Sequence, residues 1–271
     1  MKPVLLCMVC IFFPGFCFSL TAGDLSTSGV AKGNIGNYSE LTNDLTRDIE
    51  LKRENAEFYY NRGITKQNLE DYQGAIADCT KAIELKPDYA EAYNNRGVAK
   101  ESLEDYQGAI VDYTKAIELK PENADAYINR GNAKKNLQDC HGAIDDYTRA
   151  IELKPDCADA YIDRGKAKYD LKDYSGLIDD FTRAIELKPD KAEFYYTRGI
   201  AKQNLEDYQG AIADCTNAIE LKLDYADAYF FRGLMWMMMD NPERYCTDLK
   251  MAAALGSTQA REAYQSFKMC D

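Results

Sequence analysis

A single histidine, His141, stands in a chain of 271 residues. That scarcity excludes a zinc site built on two imidazoles and leaves one candidate base for a Ser–His or Cys–His pair. Proline occurs only 7 times and tryptophan once, while 46% of the residues are hydrophobic; a disordered low-complexity chain has the opposite balance. Basic residues number 33 against 45 acidic ones, a formal charge of −12. Nucleic acids and anionic membrane surfaces are bound through clustered Lys and Arg, so this balance argues against both as partners. The phosphate-loop, HExxH, GxSxG and GxGxxG patterns are all missing, and their chemistries with them. The expectation is therefore no enzyme, no cofactor, no metal and no small-molecule substrate.

Long apolar runs are also missing, except at the start. Lys2 precedes the apolar run Val4 to Phe13, which Pro14 and Gly15 break. Small residues follow at Cys17 and Ser19 and again at Thr21 and Gly23. A basic start, a short apolar stretch and a small-x-small site describe a secretory signal peptide, expected over residues 1–23, with the new N-terminus between Leu20 and Asp24. The rest, residues 24–271, would then be secreted or periplasmic, touching a membrane only if the first segment is retained as an anchor. Cys7, Cys10 and Cys17 fall in the signal, so their CxxC is not a redox motif. Cys79, Cys140, Cys157, Cys215, Cys246 and Cys270 remain.

What the chain has in abundance is itself. A tyrosine followed by x-x-Arg-Gly recurs at Tyr59, Tyr93, Tyr127, Tyr161, Tyr195 and Tyr229, each interval being 34. Five full units run without insertion over 56–89, 90–123, 124–157, 158–191 and 192–225, flanked by worn copies at 22–55 and 226–259. Each unit holds two amphipathic helical patterns. Tyr59, Gly63 and Leu69 share one face of a helix A; Ala75, Cys79, Ala82 and Ile83 share one face of a helix B. Asp71 is placed to cap helix B, Pro87 to stop it, and Asp88 to cap the next helix A. Gly63 and Ala75 lack bulk where the two helices must approach closely.

At these residues the sequence resembles the tetratricopeptide repeat family, whose unit reads W-x2-L-G-x2-Y…A-x3-F…P. Tyr59 stands for its Trp, Gly63 for its Gly, Ala75 for its Ala, Cys79 for its Phe and Pro87 for its Pro. Two departures recur: Arg62 stands where the family has Leu, and Lys66 where it has Tyr. The resemblance implies an all-α, right-handed α-solenoid of helix-turn-helix repeats, with a C-terminal helix over 257–269. It also implies binding of a protein or peptide on a concave face lined by helix A. The family's clamp of Lys and Asn for chaperone C-termini is not carried: its lysine position holds Glu57, Glu91, Asp125, Asp159, Glu193 and Asp227, which repel a carboxylate.

Smaller constellations follow the period. The recurring arginines (Arg62 to Arg232) and aspartates (Asp78 to Asp248) sit level in an antiparallel hairpin and read as a structural ladder, with pairing inside a unit or between units left open. Cys79 and Cys215 are duplicates, since units 56–89 and 192–225 agree at 30 of 34 positions. His141 takes an exposed helix-B position. Cys246 and Cys270 fall level across the last hairpin and are expected to form a disulfide, two unpaired thiols being the alternative; Cys140 and Cys157 should stay apart. Phe230, Leu234, Met237 and Met238 form an i, i+4, i+7, i+8 stripe beside Tyr196 and Ile200, on the face opposite Tyr229, Gly233 and Trp236. This surplus apolar stripe, rimmed by Glu193 and Asp227, is the expected partner site, and its rim favours a ligand with basic flanks. The expected function is an exported protein–protein interaction scaffold. A self-associating structural protein and a secreted effector or adhesin acting on another cell are the alternatives.

Overall fold

The computed structural model describes residues 35–266; the segment expected to be a signal peptide and Cys270 lie outside them. The described residues form 14 helices and no strand. Helix α1 (Ile35–Leu51) is followed by six hairpins: α2 (Ala56–Asn68) with α3 (Tyr72–Leu85), α4 (Ala90–Ser102) with α5 (Tyr106–Leu119), α6 (Ala124–Asn136) with α7 (Cys140–Leu153), α8 (Ala158–Asp170) with α9 (Tyr174–Leu187), α10 (Ala192–Asn204) with α11 (Tyr208–Leu221), and α12 (Ala226–Met238) with α13 (Pro242–Ala254). Helix α14 (Thr258–Ser266) closes the stack. Even-numbered helices from α2 to α12 are the A helices and odd-numbered ones from α3 to α13 the B helices. Besides its own hairpin, α2 touches α4, α4 touches α6 and α6 touches α8. The A helices therefore form the inner layer of an α-solenoid.

Each hairpin turns on the same backbone device. Glu70 adopts φ 61°, its N–H donates to the Gln67 carbonyl at 3.0 Å and that of Asp71 donates to the Lys66 carbonyl at 2.9 Å. This is a Schellman closure with a glutamate in the left-handed position that usually selects glycine. The Asp71 carboxylate then accepts the Gly74 N–H at 2.9 Å and starts helix B. Asp105, Asp139, Asp173 and Asp207 repeat that cap. Asp88 does not cap helix A: the N-cap is Tyr89, which makes no side-chain cap bond. Asp88 stands one residue too early, and only its backbone carbonyl is used, by the Ala90 N–H. Where the N-cap is an asparagine, at Asn55 and Asn123, the side-chain oxygen does accept a bond. Helix α13 starts at Pro242, N-capped by Asn241, because proline suits the first helical turn.

The core repeats one position per unit. Cys79, Tyr113, Tyr147, Phe181, Cys215 and Leu249 are buried there, and all but Leu249 face the helix-A glycine. A β-carbon at Gly97 would lie 2.6 Å from Tyr113 Cε1, so the aromatic ring occupies the space that glycine leaves. At Gly199, opposite the smaller Cys215, the nearest atom would be 3.4 Å away.

Candidate interaction surface

The arginine ladder is a buried spine and pairs within each unit. Arg62 donates from Nε to Asp78 Oδ2 at 2.8 Å and from Nη2 to Oδ1 at 2.6 Å. Its Nη1 reaches back to Thr46 Oγ1 at 3.2 Å, which ties each unit to the preceding one. Lys66, one turn along helix A, meets the same carboxylate at 2.8 Å, and the Tyr59 ring lies 5.7 Å from the guanidinium. Both departures from the family pattern thus converge on one aspartate. The bonds to Asp78 hold the Arg62 pKa above its ordinary value against the opposing effect of burial. Lys100, Lys134, Lys168 and Lys202 repeat the arrangement with Asp112, Asp146, Asp180 and Asp214. The last unit keeps Arg232 and Asp248 at 2.8 Å but carries Trp236 in place of the lysine, and Arg244 stacks on that indole at 4.4 Å. Asp44 in α1 is exposed and lies 3.9 Å from Arg47. The carboxylates of the spine are buried and its cations mostly so, an arrangement that serves stability.

The middle of the helix-A face is polar and internally satisfied. Tyr113 donates its hydroxyl to Glu101 Oε2 and Tyr147 to Asn132 Oδ1, both at 2.7 Å. Asn129 Nδ2 donates to Asn94 Oδ1 at 3.2 Å. Burial raises the pKa of Glu101, which the Tyr113 bond opposes, and burial likewise raises that of Asp163, opposed by Lys166.

The C-terminal end is different, and the expected stripe divides there. Phe230 and Leu234 pack against Tyr245, Cys246, Leu249, Ala252 and Ala260, so they are not surplus to the core. Met237 and Met238 are 40% and 60% exposed, with Met239 at 37% beside them. Tyr196 is half-buried, its ring 5.2 Å from Tyr225 and 5.7 Å from Phe231. Ile200 is half-buried as well, and Glu193 and Asp227 are exposed. Sequence reasoning missed Phe231 and Tyr225; the aromatic at the last position of its unit was the available signal.

His141 is exposed. Cys79, Cys140, Cys157 and Cys215 are free. Cys246 is disulfide-bonded; Cys270 is outside the described residues.

Tetratricopeptide repeat models match residues 56–89, 90–123, 128–192 and 192–225. The chain belongs to the tetratricopeptide repeat family, a class of protein-interaction scaffold whose fold is typically non-enzymatic. A search of curated proteins returns no match. Among solved structures, the C-terminal part of a tetratricopeptide repeat protein from Cytophaga hutchinsonii is similar with TM-score 0.74 and 18% identity, over 83% of this chain and 94% of that one. YrrB, described as a protein of this family with an unusual peptide-binding site, is similar with TM-score 0.62 and 23% identity, over 70% of this chain and 98% of that one. MamA is similar with TM-score 0.59 and 24% identity, over 64% of this chain and 94% of that one. At these identities the likeness concerns the fold.

Proposed function

We propose that the chain is an exported scaffold that holds a partner peptide or protein on the helix-A face of its C-terminal units. One observation carries this reading: Met237, Met238 and Met239 are exposed together at the end of a helix whose other apolar residues are packed. Adjacent exposed methionines form an adaptable apolar surface, and Glu193 and Asp227, at the opposite ends of α10 and α12 about 15 Å away at 1.5 Å per residue, suit basic flanks further along the ligand. The peptide-binding site named for YrrB supports the same kind of ligand. Peptide-library selection on the immobilised full chain tests it. Enriched peptides should combine apolar and basic residues and lose binding to Met237→Ser/Met238→Ser, with melting unchanged. Peptides that bind this variant as well as the parent would place the site elsewhere.

Export and the Cys246–Cys270 bridge belong to the same proposal, since a disulfide persists in an oxidising compartment. Closing that hairpin adds about 3 kcal/mol in the chain-entropy model. Mass spectrometry of natively produced protein without reductant should find an N-terminus between residues 20 and 24 and the two cysteines linked. A mass that retains Met1, or a different partner for Cys246, would refute the respective part.

A further inference from the structure

The two near-identical units, 56–89 and 192–225, share a feature absent from the three between them. Each carries a tyrosine on helix A and another at its last position, and the rings meet: Tyr60 with Tyr89 at 4.9 Å, and Tyr196 with Tyr225 at 5.2 Å. The second tyrosine redirects a lysine. In unit 90–123, Lys120 pairs with Glu91 at 3.2 Å, and in unit 158–191, Lys188 pairs with Asp159 at 3.0 Å. In each case the lysine neutralises the carboxylate that opens its own unit. Lys86 and Lys222 hold the same position but lie over the tyrosine rings instead, at 4.6 and 4.9 Å from the centroids of Tyr89 and Tyr225. Glu57 and Glu193, the carboxylates they leave, are exposed.

Each end of the stack therefore has an aromatic pair that already attracts one ammonium, beside a carboxylate released from its partner. Burial raises the Tyr89 and Tyr225 hydroxyl pKa; Tyr60 and then Glu57 and the next unit's Glu91 add to this at Tyr89, and Glu193 and the next unit's Asp227 add to it at Tyr225. A guanidinium suits such a place better than the resident ammonium. It is flat, weakly hydrated, stacks on tyrosine and meets a carboxylate through two N–H groups. From this juxtaposition we propose that Tyr60–Tyr89 with Glu57, and Tyr196–Tyr225 with Glu193, are two copies of one arginine-accepting site, and that the partner presents two arginine-bearing segments. This rests on the reading that the partner lies along the helix-A face. Four repeat steps separate the sites, on the order of 40 Å at about 10 Å per step. A linker that spans them would raise affinity through effective concentration.

The probe is the peptide Ac-Gly-Arg-Gly-NH2, titrated into the isotope-labelled full chain and followed by NMR. Amide shifts should cluster at two places, around Tyr60 and Tyr89 and around Tyr196 and Tyr225. Tyr89→Leu should abolish the first set alone and Tyr225→Leu the second alone, while Tyr89→Phe keeps the ring and the binding. The exposed substitutions Glu57→Gln and Glu193→Gln, which leave the fold untouched, should each weaken their own site roughly threefold or more. A norleucine peptide should leave both sites silent. Shifts scattered over the acidic surface, a response at one pair only, or Glu57→Gln and Glu193→Gln variants that respond like the parent would each overturn the proposal. If library-selected peptides still depend on Met237 and Met238 while the arginine probe ignores the tyrosines, the binding face stands and the paired sites fall.

Discussion

Replacing Asp112 with Asn should be among the most damaging single changes on this chain. Asp112 is 1% exposed; it accepts Arg96 at 2.6 Å and Lys100 at 2.7 Å, the two cations being 17% and 21% exposed. The amide removes the only negative charge between them. Breaking a buried pair from one side costs about 3–5 kcal/mol, and partial hydration of the cations places this case near the lower end, about 3 kcal/mol. Repeat arrays do not always unfold as one unit, so a global melt is a poor ruler. Hydrogen exchange of α4 and α5 reads the local opening directly, and about 3 kcal/mol is a rise of roughly a hundredfold in the opening constant. The companion variant Arg96→Leu/Lys100→Met/Asp112→Leu should be close to neutral or more stable than the parent, because apolar residues of similar volume often replace buried ion clusters without loss. If Asp112→Asn exchanges like the parent, or the triple variant is as damaged as the single, the spine does not contribute as argued.

Three further outcomes follow from the packing and from the acid at Glu101. Gly97→Ala, whose β-carbon would press on the Tyr113 ring at 2.6 Å, should destabilise by about 1–3 kcal/mol. Gly199→Ala, with 3.4 Å to its nearest neighbour, should be neutral or gain up to about 1 kcal/mol from helix propensity; urea titration monitored near each unit separates the two. Glu101 has its pKa raised by burial above the ordinary 4.5, so its protonated form is the one folding favours. That contribution is complete below the ordinary value and is lost as pH climbs through the raised one. Glu101→Gln should therefore be more stable than the parent at pH 7, with the difference closing in acid, as melting at both pH values would show.

The solenoid was legible because a period of 34 with a tyrosine, glycine and alanine at fixed offsets determines both helices and their close contact. The spine was legible only as a set of recurring residues. Arg62 reaches Asp78 and Thr46 at the same separation of 16 residues in opposite directions, so counting alone could not tell inside from between. The role of Lys66 was not read, although its i+4 spacing to Arg62 on helix A was the available signal. The hairpin turn gave no cue, since Glu70 and its counterparts occupy a left-handed position without a glycine. The stripe on α12 has the right spacing for one face, but periodicity does not report what lies opposite. Only the arrival of Ala260 and Tyr264 from α14 separates packed Phe230 and Leu234 from exposed Met237 and Met238.

The most direct test of the binding face is hydrogen–deuterium exchange of the full chain with and without a library-selected peptide. Protection of α10, α12 and the Tyr225 turn, joined by the region around Tyr60 and Tyr89 where the peptide carries arginine, is the expected result. Protection centred on α11 and α13, the outer helices of the same units, would contradict it.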